Sequence, residues 1–92
     1  MFAEEVTMFV IYGNPKDYPG KFVVRQRWCY TGFDTVAVVP KAVCNTLDEA
    51  RNSIPIGFVN IGREKEDDPV IHEVWCTAKV AKLLKEKRKH KE

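Results

Sequence analysis

Few side chains in this sequence could do chemistry. Cys29, Cys44 and Cys76 are its thiols, His72 and His90 its imidazoles, and Ser53 its lone serine. A catalytic thiol needs a nearby base and a lowered pKa, whereas a small intracellular domain more often buries cysteine as an apolar group. An odd number of widely spaced cysteines with no CxxC reads as reduced thiols of a cytosol rather than a disulfide framework. His72 and Cys76 stand four residues apart, which on a strand is about 13 Å, too far to share one zinc ion. The acidic stretch with Glu64, Glu66, Asp67 and Asp68 lacks the glycine and the spacing of a calcium loop. Gly13 and Gly20 flank prolines and do not open a helix, so no phosphate loop is present. The expectation is no catalytic residue, no metal, no cofactor and no enzymatic activity.

The remaining chemistry is charge. Read as a helix, Cys76 and the following stretch AKVAKLLKEKRKHKE, residues 78–92, put Cys76, Val80, Leu83 and Leu84 on one face and lysines on the others. Residues 77–92 carry a local charge of +5 and residues 1–76 a charge of −3, inside an overall +2. An acidic body with a basic end points to a binding surface for an anionic partner. Lys79, Lys82, Lys85, Lys87, Arg88 and Lys89 are the candidate contacts, and Arg25 and Arg27 could extend them. The plainer reading is the solvated side of an amphipathic helix whose apolar side packs on a sheet. The apolar stripe is short and has no aromatic anchor, which disfavours a membrane partner.

The elements that must carry these residues follow from periodicity. Residues 1–6 show no pattern and are expected to be disordered. Thr7 to Tyr12 is apolar on both faces, as in a central strand. Asn14–Pro15 and Pro19–Gly20 mark a loop at 13–20. Residues 21–30 alternate, with Phe22, Val24, Trp28 and Tyr30 on a core face and Lys21, Arg25 and Arg27 on a basic outer face. With the basic residues on the side away from the aromatics, a base-stacking platform is disfavoured. Thr31–Gly32 makes a tight turn into a paired strand at 33–39, ended by Pro40. Thr46 and Glu49 form a capping box for a short helix with the stripe Leu47, Ala50 and Ile54, stopped by Pro55. Strands are expected at 56–61 and 70–76, on either side of an acidic loop at 62–69, and the basic helix follows over 77–92. The fold class is therefore α+β: an antiparallel sheet of four to five strands, a short helix after strand 3 and a C-terminal helix, in the order β-β-β-α-β-β-α.

Ninety-two residues make one domain, 1–92, with a modest core and no room for a deep cavity between lobes. A hydrophobic fraction of 45% with 30% charged residues is that of a globular chain rather than a disordered one. No apolar run approaches the roughly 20 residues that span a bilayer, and Glu4 and Glu5 stand where an export signal carries positive charge.

Two stretches, KDYPGKFVVR at 16–25 and DEARNSIPIGFVNIGREKEDDPVIHEVW at 48–75, together resemble small proteins encoded by tailed phages and prophages. The resemblance covers about two thirds of the chain. Such proteins end near the last strand, here Trp75, so the basic end is an addition to the pattern. The resemblance implies an accessory protein of a bacterial host cytoplasm that occupies the surface of a host machine, as inhibitors of the anti-CRISPR type do. The expected function is thus a non-enzymatic protein that blocks a host nucleoprotein or defence complex sterically and electrostatically. Its partner would be a host protein or nucleoprotein complex, with RNA or DNA contacts near the lysines. The alternatives are a protein that binds DNA or RNA directly through the basic helix and, last, a small cysteine-dependent enzyme. Self-association as a homodimer through an uncovered sheet face stays open.

Overall fold

The computed structural model describes residues 6–30, 33–63 and 69–82. The chain forms β1 (Val6–Gly13), β2 (Phe22–Tyr30), β3 (Phe33–Val36), β4 (Ala42–Cys44), α1 (Leu47–Asn52), β5 (Phe58–Gly62) and β6 (Ile71–Thr77). Residues 78–82 continue as helix directly from β6. The strands make one antiparallel sheet in the order β3-β2-β1-β6-β5, with β4 also pairing β2. The doubly apolar β1 lies at its centre, as a strand buried on both faces must. Met8 of β1 faces Arg27 of β2 on one side and Cys76 of β6 on the other.

The loop between β1 and β2 closes on itself. Asn14 N–H donates to Lys21 O at 2.8 Å, and Gly20 N–H donates to the Asn14 side chain at 2.7 Å. Asn14 and Gly20 have φ of 55° and 76°, a left-handed geometry that asparagine and glycine tolerate best. Tyr18 N–H donates to Pro15 O at 3.1 Å inside the same loop.

The sheet has six strands, not the four to five expected from the sequence. The extra strand is β4, three residues long and too short to show a period. The long β2 shares its outer edge between two partners: residues 22–24 pair with β4 and residues 27–30 with β3. Between them the chain leaves the ladder. Ala37 N–H donates to Gln26 O at 2.9 Å and Lys41 N–H to Val24 O at 2.7 Å, so residues 38–40 arch over the gap. The strand expected at 33–39 therefore ends at Val36, and Val38 and Val39 stand 89% and 77% exposed. Pro40 has no N–H to give the ladder, which is consistent with the break.

Both faces of the sheet are apolar. On one, Phe9, Ile11 and Val24 pack beneath Ala50 and Ile54, joined by Leu47, Phe58 and Trp75. Phe9 and Phe58 meet edge to face at 4.9 Å between ring centroids, a favoured aromatic geometry. Thr46 caps α1: its hydroxyl accepts Glu49 N–H at 3.2 Å, and the Glu49 carboxylate accepts Thr46 N–H at 3.1 Å. Leu47 and Ala50 of α1, and Ile54 just past its C-cap Ser53, pack on the sheet together.

The opposite face holds Val10, Ile71 and Val74, with Met8, Tyr12, Ile61 and Val70 against them. Val23 and Cys76 are fully buried on this side too. This corrects the expectation of a basic, solvated outer face on β2. Arg25 and Arg27 alternate with Val23 on a face that packs its own cluster, and both arginines are partly buried. Val10, Ile11, Val23 and Val24 are all without solvent exposure; burying each is worth about 1.5–3 kcal/mol.

Candidate functional site

Among the expected lysine contacts, Lys79 and Lys82 fall on the helical residues 78–82. The Thr77 hydroxyl accepts Val80 N–H at 3.4 Å, a capping contact at the point where the strand becomes helix. Ala81 is buried and Val80 half-buried, while Lys79 and Lys82 are exposed. Neither lysine forms an ion pair with another described residue. Of the expected apolar stripe, Cys76 belongs to β6 and Val80 is half-buried, and the buried helical residue is Ala81, which that stripe did not include. Lys85, Lys87, Arg88 and Lys89, with Leu83 and Leu84, lie outside the described residues, as do Thr31–Gly32 and the acidic residues 64–68.

Arg25 is placed very differently. Its side chain is only 14% exposed, and its guanidinium bridges two loops. Nη1 donates to Ala37 O at 3.1 Å and to Val38 O, which fixes the arch that splits the edge of β2. Nη2 donates to Asp17 Oδ2 at 2.6 Å, a charge-assisted bond to the β1–β2 loop. Its main ligands are thus intramolecular. Arg27 is half-buried and sits opposite Val36 of β3. Arg25 is committed to the body of the domain, whereas Lys79 and Lys82 are exposed.

Around Arg25 lies an open groove of about 550 Å³, walled by Tyr12, Pro15, Lys16, Asp17 and Val36. It sits at the end of the sheet beside the β1–β2 loop, where that loop approaches the arch. Lys21, expected on the same basic face, instead reaches the Asn45 side chain.

A second buried polar group was not singled out from the sequence. Glu73 of β6 is 6% exposed on the face covered by α1. Arg51 of α1 donates to it through Nε, at 3.1 and 3.2 Å, and through Nη2. Trp75 Nε1 donates to the same carboxylate at 3.1 Å. The Arg51 bonds, helped by those of Trp75 and Asn60, hold Glu73 below the ordinary carboxylate range although burial opposes this. A carboxylate so ionised and so fully bonded is a structural tie, poorly suited to proton transfer near neutral pH. Its signal lay in the alternation of β6, where Glu73 takes the same side as Trp75.

The thiols described are unlike nucleophiles. Burial pushes Cys76 up, and burial together with the Glu49 charge pushes Cys44 up, the opposite of an activated thiolate. His72 is exposed and meets the Phe22 ring edge-on at 5.6 Å, whereas Cys76 is buried opposite Met8 on the other side of the sheet. No group of histidine, cysteine and acidic residues among the described ones could hold a metal ion. Among the described residues, no helix is long and apolar enough to cross a membrane.

No family model matches this chain, and neither a curated protein nor a solved structure is significantly similar to it.

Proposed function

We propose that the chain is a non-enzymatic binding protein of the bacterial cytoplasm that settles on a host nucleoprotein complex and blocks it, in the manner of an anti-CRISPR inhibitor. The observation that supports this reading best is the outward display of Lys79 and Lys82 on helical residues whose other side is buried. The resemblance to small phage proteins supplies the class of partner. The raised thiols and the committed Glu73 weigh against a catalytic role for those groups. Further basic contacts would come from Lys85, Lys87, Arg88 and Lys89, with the acidic body meeting basic protein surface.

The test is a plaque assay. Bacteria with an active CRISPR defence are made to express the protein and are challenged with a targeted phage. Restored plaquing is expected from the natural chain and lost plaquing from Lys79→Glu/Lys82→Glu. Inhibition undiminished by the double reversal would reduce these lysines to a solvated helix face. Direct binding to nucleic acid is the second reading, favoured by the same pair. It requires a gel shift on bare DNA or RNA whose log affinity falls with log salt by about 0.9 per duplex phosphate contacted.

A further inference from the structure

The geometry points to the groove at Arg25 as a binding site for a carboxylate side chain of an acidic, partly apolar peptide segment, with Asp17 as the internal carboxylate that holds its place. Four observations carry this. The groove, about 550 Å³, falls in the size range of pockets that take small ligands or a few side chains. Its charged groups are Lys16, Arg25 and Asp17, leaving it one positive charge in excess. The Arg25 guanidinium is already oriented: the Ala37 and Val38 carbonyls hold Nη1, so a ligand at Nη2 need not order the side chain. The position beside Nη2 already accepts a carboxylate oxygen at 2.6 Å, and that carboxylate belongs to a side chain 56% exposed. Asp17 is the open partner of that pair, so its carboxylate can turn to water when an incoming carboxylate takes its place, while the two main-chain carbonyls still hold Nη1.

The walls decide between anions. Tyr12, Pro15 and Val36 give the groove apolar sides, which suit the aliphatic stem of a glutamate and an apolar neighbour in the same peptide. With Nη1 occupied by main-chain carbonyls, one edge of Nη2 and the Lys16 ammonium remain for the ligand. That is a site for a monoanion rather than for a phosphate gripped by a full guanidinium fork. Lys16 is exposed and forms no ion pair among the described residues, so it is available at the rim. This surface is separate from the one that carries Lys79 and Lys82.

Fluorescence anisotropy of a labelled hexapeptide alternating glutamate with leucine tests the assignment on the full chain at low salt. The acidic peptide is expected to bind and its glutamine counterpart to bind far more weakly. Asp17→Asn should tighten binding by about two- to fivefold, the release of one partly exposed ion pair. Arg25→Gln should abolish binding. Because Arg25 also holds the arch, Lys16→Gln serves as the variant that disturbs no described contact, and it should weaken binding. Equal affinity for the neutral peptide, or no tightening in Asp17→Asn, overturns the proposal. Displacement of the peptide by inorganic phosphate or an oligonucleotide at matched concentration overturns it too, in favour of a general anion site.

Discussion

Arg51 of α1 and Glu73 of β6 are joined through both carboxylate oxygens, across the interface that holds the helix to the sheet. The acid is buried, and the arginine reaches it from the margin with its own side chain 39% exposed. Removing either partner therefore has unequal consequences. Arg51→Ala strands a buried anion with fewer donors, whereas Glu73→Leu releases a cation that can turn to water. Arg51→Ala should lower the thermal midpoint by several degrees, and Glu73→Leu by clearly less. Calorimetry of the two variants beside the natural chain checks the order.

The same pair sets an acid limit. Glu73 titrates lower in the folded chain than in the unfolded one, so its contribution is complete above the unfolded value of about 4.3. It is lost as pH falls from there through the folded value, because the unfolded chain then takes up the proton first. Urea midpoints measured from pH 7 to pH 3 should drop steeply at the acid end. In Glu73→Gln that acid limb should be shallower, and an unchanged limb would remove Glu73 from the account.

The central strand is the least tolerant place for a cavity. Ile11 is fully buried between β2 and β6 and belongs to the cluster under α1. Ile11→Ala should cost about 2–5 kcal/mol. Thr46→Ala, which removes only the capping hydroxyl of α1, should cost about 0.5–2 kcal/mol. Denaturant unfolding of both variants gives the comparison.

Thiol labelling reads out burial. Cys76 has no solvent exposure and Cys44 is half-buried beside Glu49. At pH 8 both should be alkylated more slowly than a cysteine in an unstructured peptide, Cys76 slowest, and both at the free rate in urea. Mass mapping of the modified sites makes this a direct measurement. A fast Cys44 or Cys76 in the folded chain would reopen cysteine chemistry.

Local signals were legible where one residue type carries its own geometry. Thr46 and Glu49 announced the start of α1, Asn14 and Gly20 the loop, and the doubly apolar Thr7–Tyr12 run the sheet centre. Signals failed where tertiary partners decide. Nothing in FDTVAVVP says that Val38 and Val39 leave the ladder, because the arch is held by Arg25, twelve and thirteen residues upstream of the carbonyls it binds. The alternation of β2 showed which residues share a side but not that the second side is buried, since the residues that join Val23 there, Val10 and Val74 among them, belong to other strands. Of the eight basic residues expected at a site, Lys79 and Lys82 are displayed, Arg25 is tied inward, Arg27 is half-buried and four lie outside the described residues.

The strand order has a kinetic corollary. β1 is the first strand described along the chain and β6 the last, yet they are neighbours, with Phe9 opposite Trp75. During synthesis the inner edge of β1 must wait, open and apolar, until Ile71–Thr77 has been made. Distant pairing of this kind slows folding and exposes a sticky edge meanwhile. Ribosome-stalled chains halted before Ile71 should accordingly be the species that chaperones bind and that aggregate first.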